Sequence, residues 1–301
     1  NLMDQSPKEE TEKVKPRSLL SLFWPFDELR KLSESDNRNL LVITTIGVVP
    51  MVILTLFSML IQAQIAYLLT GLYFSVLWSI LFYNLFPAPA IRVSTSLFCF
   101  VGTALVSVSI LSLFFKLPFV NLPLDFIQSP SHLERFMGFW LWVALPEELV
   151  KVFMLYVLSR RHNIKFPSTF AYYGMICGLG FGIYEGMDYQ MTVNFDLADG
   201  MEEYLFLNLL RLTTLPVLHA VWTGTAGFFL GFVFLHGQKK YYFVLIGLGI
   251  PSVLHALFNT FNHTVASLGL AIMSVLVFSL YFAKHDSLNF YFRQQSNHHK
   301  E

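Results

Sequence analysis

Glu147, Glu148 and Lys151 fall within five residues of one another, in Pro146-Glu147-Glu148-Leu149-Val150-Lys151. Glu147 and Lys151 are four apart, and Glu148 and Lys151 three apart, so on a helix they share one face. The lysine can neutralise one carboxylate and leave the other for chemistry. Two adjacent carboxylates resist joint ionisation, which suits general acid–base work. Phe181-Gly182-Ile183-Tyr184-Glu185 brings a third carboxylate. His219 follows Pro216 by three residues, among Thr213, Thr214 and Thr223. His255 and Asn259 are four apart and share a helix face, where both can donate hydrogen bonds to a developing oxyanion.

Peptide hydrolysis needs an activated water, an oxyanion donor and a proton for the leaving amine. By residue type, a Glu can activate the water, His255 and Asn259 can hold the oxyanion, and Glu185 or His219 can relay the proton. A metal is the competing chemistry. Glu148, Glu185, His219 and His255 form a zinc-type ligand set, although His-Glu-x-x-His is absent from the sequence. Nucleophilic alternatives are weaker: there is no Gly-x-Ser-x-Gly, and no Asp lies in an apolar stretch. No Walker A or dinucleotide glycine pattern occurs, so no nucleotide is expected. Cys99 and Cys177 both sit in apolar stretches and read as packing residues.

These groups are embedded in a very apolar chain. Of 301 residues, 54% are hydrophobic and 13% charged, with a mean hydropathy of +0.55. A soluble chain carries about 25% charged residues, so this composition predicts an integral membrane protein. The net charge is +0 and no basic block interleaves with aromatics, which argues against nucleic acid as a partner. The pattern predicts an all-α, polytopic transmembrane bundle of about eight helices, near 40–62, 66–86, 93–115, 136–159, 169–184, 205–235, 241–260 and 263–283. Residues 1–39 read as a polar cytoplasmic segment, partly disordered, with a short apolar patch at 18–26 that suits the membrane interface. Residues 40–284 read as the membrane domain, with its motif-bearing core at 136–283. Residues 285–301 read as a polar tail.

The fifth span is short and glycine-rich. Gly174, Gly178, Gly182 and Gly186 recur every fourth residue, a ridge that invites a second helix to approach closely. The sixth is long and is expected to kink at Pro216. With both termini cytoplasmic, the lysines and arginines collect on the inside, and only Lys116 and Arg135 fall outside. Residues 187–204 are acidic and are expected as an outer loop at the mouth of a cavity. Ionisable groups at membrane depth cost about 2.5–3.5 kcal/mol each on insertion scales. They should therefore face one another or a wet cavity.

Glu147-Glu148-x-x-Lys151, Phe181-x-x-x-Glu185, His219 and His255-x-x-x-Asn259, in this order on successive helices, resemble the PrsW family of intramembrane proteases. That family is related to the CAAX-protease and bacteriocin-processing (CPBP, or Abi) superfamily with its Rce1-type enzymes. The resemblance covers roughly 136–283. It implies a multi-pass protease of the bacterial cell membrane that cuts a membrane-anchored substrate, as in site-1 cleavage of an anti-sigma factor. By analogy with Rce1-type enzymes, Glu147 would activate water, and His255 with Asn259 would stabilise the oxyanion. Glu185 stands where Rce1-type enzymes carry a His, which favours a metal such as zinc. PrsW proteins are themselves classed as metallopeptidases. Two departures are Gly186, where many members have Asn, and Asn259, where many have Asp. The alternative functions are a proton-coupled transporter and a non-catalytic scaffold of protease-like fold.

Overall fold

The computed structural model describes residues 63–117, 124–161, 164–236, 240–262 and 264–284, all within one compact unit, Met51–Glu301. The expected N-terminal segment, the first expected span and the polar tail lie outside the described residues. The described residues are helical with no strand. The helices are α1 (Ala63–Leu85), α2 (Val93–Phe115), the short α3 (Leu124–Ile127), α4 (His132–Phe139), α5 (Leu145–Arg161), α6 (Pro167–Met191), the short α7 (Val193–Leu197), α8 (Met201–His236), α9 (Lys240–Thr260) and α10 (Val265–Ala283).

The centre of the bundle is the antiparallel pair α6–α8. Every residue of α6 from Pro167 to Ile183 is buried. Its glycine ridge meets α8 backbone to backbone. A Cβ on Gly174 would stand 2.4 Å from the Thr223 carbonyl oxygen, and one on Gly178 would stand 2.1 Å from that of His219. At Gly182 the obstacle is Pro216 Cα at 2.7 Å. Gly227 and Gly231 of α8 return the arrangement against Phe170 and Pro167. Small residues thus let the two backbones touch. On the other side of α6, Gly180 admits the backbone of α2 at Phe100.

Four described helices are long and apolar enough to cross a membrane: Val93–Phe115, Glu202–Leu235, Tyr241–Thr260 and Val265–Ala283, with Leu69–Leu85 shorter. The outer helices α2 and α10 present Leu97, Val101, Leu105, Leu276 and Leu280 outward. In a chain of this composition, lipid is the medium that accepts such a surface. The protein is an all-α membrane helical bundle.

Three local features depart from the expected boundaries. The fifth span does not end near Tyr184, because α6 runs on to Met191. Residues 187–204 are consequently mostly helical, divided among α6, α7 and α8 rather than forming a loop. The fourth span, expected at 136–159, is split by a π-helical turn at Trp140–Ala144. Pro146 has no N–H to give the carbonyl four residues back, and a wider turn accommodates that loss just ahead of the two glutamates.

Pro216 lies inside a helix that continues on both sides of it. It leaves the Leu212 carbonyl without its helical donor, and the Trp78 indole N–H of α1 supplies one at 3.2 Å.

Candidate active site

Glu147, Glu148 and Lys151 lie in the first two turns of α5, directly after the π turn. The start of α5 is held from two sides. Trp140 Nε1 donates to Ser252 Oγ of α9 at 3.1 Å, and Ser107 Oγ in the π turn of α2 donates to the Val150 carbonyl at 2.7 Å. Glu185 comes from α6, His219 from α8, and His255 from α9, one turn past Pro251. Glu147, Glu148, Lys151, His219 and His255 are all buried. Glu185 is the most open of the group, with a quarter of its side chain exposed.

Lys151 is the hub. Its Nζ lies 3.2 Å from Glu147 Oε2, 2.9 Å from Glu148 Oε1 and 2.7 Å from His219 Nδ1. It also sits 4.2 Å above the centre of the Phe181 ring. An ammonium only donates, so His219 Nδ1 accepts and the proton of a neutral ring is on Nε2. That nitrogen is 2.7 Å from Glu185 Oε2 and donates to it.

The two neighbouring glutamates are unlike. Glu148 is saturated: Oε1 takes Lys151 and His255 Nδ1, the latter at 3.3 Å, and Oε2 takes the Thr223 hydroxyl at 3.2 Å. Glu147 bonds through Oε2 alone, and Oε1 has no partner among the described residues. His255 Nε2 faces Glu147 Oε2 at 3.9 Å, beyond hydrogen-bond distance.

The aromatic setting fixes the imidazoles. Trp222 stacks on His255 at 4.3 Å between ring centres and 14° between planes. Its indole N–H is anchored on Ser274 Oγ of α10 at 3.0 Å. His219 meets His255 edge to face at 5.2 Å. The structure therefore gathers Glu147, Glu148, Lys151, Glu185, His219 and His255 around one centre. Asn259 stands one turn beyond His255, half-buried, with no side-chain partner among the described residues.

The donor group that could hold a metal differs from the set expected from sequence. Glu147, His219 and His255 offer donor atoms within 4.8 Å of one another. Glu148 and Glu185 sit behind the two histidines instead of beside them. Each accepts a hydrogen bond from one imidazole; the other nitrogen of His255 then turns a lone pair toward Glu147, and that of His219 accepts from Lys151, which a cation at that nitrogen would displace. Carboxylate-backed imidazoles with a third carboxylate are the donor types of catalytic zinc centres. The charge agrees. Three carboxyl groups stand against one lysine, an excess of acidic donors that suits a divalent cation.

Sequence reasoning undervalued Thr223 and missed Trp222. Both lie on the helix face of His219, three and four residues on, and that spacing was the available signal.

No curated protein and no solved structure matches the chain. The profile of the PrsW family of intramembrane metalloproteases matches residues 92–284. The match begins at α2, earlier than the motifs alone reached, and takes in every helix that touches the buried centre. By this match over most of its length, the chain belongs to the PrsW family of intramembrane metalloproteases.

Proposed function

We propose that the chain is an endopeptidase that hydrolyses a peptide bond of a membrane-anchored protein, with Glu147 as the carboxylate that takes the proton of the attacking water. The observation that carries this is the inequality of the two glutamates. Glu148 has no oxygen to spare, whereas Glu147 has Oε1 free beside the histidines.

In the proposed reaction Glu147 Oε1 accepts a proton as the water oxygen bonds to the scissile carbonyl carbon. The tetrahedral oxyanion takes a hydrogen bond from the Asn259 amide. Glu147 then returns the proton to the departing nitrogen as the C–N bond breaks, leaving a carboxylic acid and an amine. His255 donates from Nδ1 to Glu148, so its Nε2 holds an oxyanion only as an imidazolium; as a neutral ring it offers a lone pair. That favours a ligand's part for His255 over the oxyanion part expected from Rce1-type enzymes.

A divalent cation, when bound, supplies Lewis acidity and a more acidic water. Glu147, His219 and His255 would hold it, with Glu148 and Glu185 orienting the rings. Zinc suits these donors. A bacterial cell membrane as the location and an anti-sigma factor as one substrate type are part of the same proposal.

The test is metal content and cleavage of a tagged single-pass protein, followed together in purified wild type, Glu147→Gln and His255→Ala. Cleavage by wild type and its loss in both variants, each still folded, is the expected result. Cleavage at the wild-type rate by both variants would overturn the assignment.

A further inference from the structure

A cavity of about 680 Å³ opens between the first half of α8, the end of α9 and the first half of α10, with Trp78 of α1 and Tyr189 of α6 in its wall. Its lining is mainly apolar, and Arg211 is the one charged side chain among the described lining residues. The guanidinium lies 3.4 Å from the centre of the Tyr189 ring. Arg211 Nε is buried without a hydrogen-bond acceptor, and no carboxylate among the described residues pairs with this side chain. An arginine in an apolar groove of a membrane protein is costly until an anion meets it. Tyr189 holds the guanidinium against its ring, and a carboxylate is the partner that arginine matches best.

The wall of the groove adjoins the buried centre. Phe258 lines it and meets Trp222 at 5.9 Å, and Trp222 stacks on His255. Leu218, also in the lining, precedes His219. Tyr189 is one helical turn beyond Glu185.

We infer that this groove receives the apolar segment of the protein substrate next to the cleaved bond, and that Arg211 selects a segment carrying Asp or Glu. The inference rests on the endopeptidase reading. The register follows from helix geometry. Arg211 and His219 are eight residues apart on α8, about 12 Å at 1.5 Å per residue. An extended peptide covers that in three or four residues. The acidic residue therefore stands three or four positions from the cleaved bond. A phospholipid could satisfy the arginine too, but it would have no fixed relation to that bond.

The test moves one Asp along a tagged single-pass substrate and pairs each version with wild type, Arg211→Gln and Arg211→Glu. Wild type is expected to prefer the Asp at one position, three or four from the cut. Arg211→Glu is expected to lower kcat/KM for that substrate roughly tenfold or more, mainly through KM, as for a desolvated charge pair. A Lys at the same substrate position restores cleavage by Arg211→Glu and lowers it for wild type. Equal loss on every substrate, or indifference to where the Asp lies, overturns the inference.

A photoreactive side chain in place of Leu268, in protein also carrying Glu147→Gln, reads docking without turnover. Adducts with the Asp substrate that fade on Arg211→Glu support the groove even if wild type cleaves nothing, in which case only the endopeptidase reading fails. Adducts with phospholipid alone overturn the inference.

Discussion

At the scale of single residues, the apolar surroundings made the site legible. Glu147, Glu148, Lys151, Glu185, His219 and His255 stand out because hydrocarbon does not tolerate them singly. Their division of labour was not legible, because it depends on partners from other helices. Thr223 of α8 and His255 of α9 occupy Glu148 and leave Glu147 free. On the proposed mechanism Glu148 is a positioning residue. Glu148→Gln is expected to lower both metal affinity and cleavage by about 10–100-fold, as for the partner of a metal-binding histidine. Equilibrium dialysis beside a cleavage assay checks this; unchanged affinity would place Glu148 elsewhere in the scheme. Lys151→Met removes a fully buried lysine, the one lysine or arginine among the described residues of the cluster. It is expected to cost about 3–5 kcal/mol, the range for breaking a buried ion pair, and to lower the thermal midpoint in detergent. An unchanged midpoint would mean that the cluster is balanced by something other than Lys151.

At the scale of elements, the glycine period of α6 announced a close helix contact, and α8 supplies it. The length of α6 and the π turn ahead of α5 were hidden. Hydropathy falls off past Tyr184 although the helix continues, and a proline near a helix start does not reveal that the preceding turn widens. Pro216 predicted a kink on local grounds. The Trp78 hydrogen bond that serves the freed carbonyl comes from a helix more than a hundred residues earlier and could not be read locally. Gly178→Ala puts a methyl group against the His219 carbonyl. It is expected to cost about 1–3 kcal/mol as α6 and α8 are forced apart, and to reduce cleavage because that carbonyl belongs to a site residue. Gly249→Ala meets nothing within 4 Å. It should be neutral or stabilising by up to about 1 kcal/mol, since alanine favours the helix. Melting both variants beside wild type tests the contrast, and equal midpoints would deny the tight contact its weight.

At the scale of the whole molecule, composition identified a membrane protein, and the described helices are those of a membrane bundle. The number of spans was less legible. Of the helices that carry the site, α8 and α9 register as apolar spans, whereas α5 and α6 are too short or too polar to do so, and eight expected spans stand beside four long apolar helices among the described residues. Charge asymmetry between loops argues that the acidic stretch at 187–204 faces outward. On that orientation, Leu197→Cys is labelled by an impermeant thiol reagent added to intact cells, while Lys165→Cys is labelled only after the membrane is opened. The reverse pattern would invert the topology.

The most direct test of Glu147-driven hydrolysis is mass analysis of the products from a single-pass substrate reconstituted with purified enzyme in water labelled with heavy oxygen. Wild type should release a fragment whose new carboxyl terminus carries one labelled oxygen, and Glu147→Gln, folded and still binding the substrate, should release none. The same labelled fragment at the same rate from Glu147→Gln would contradict the role assigned to that carboxylate.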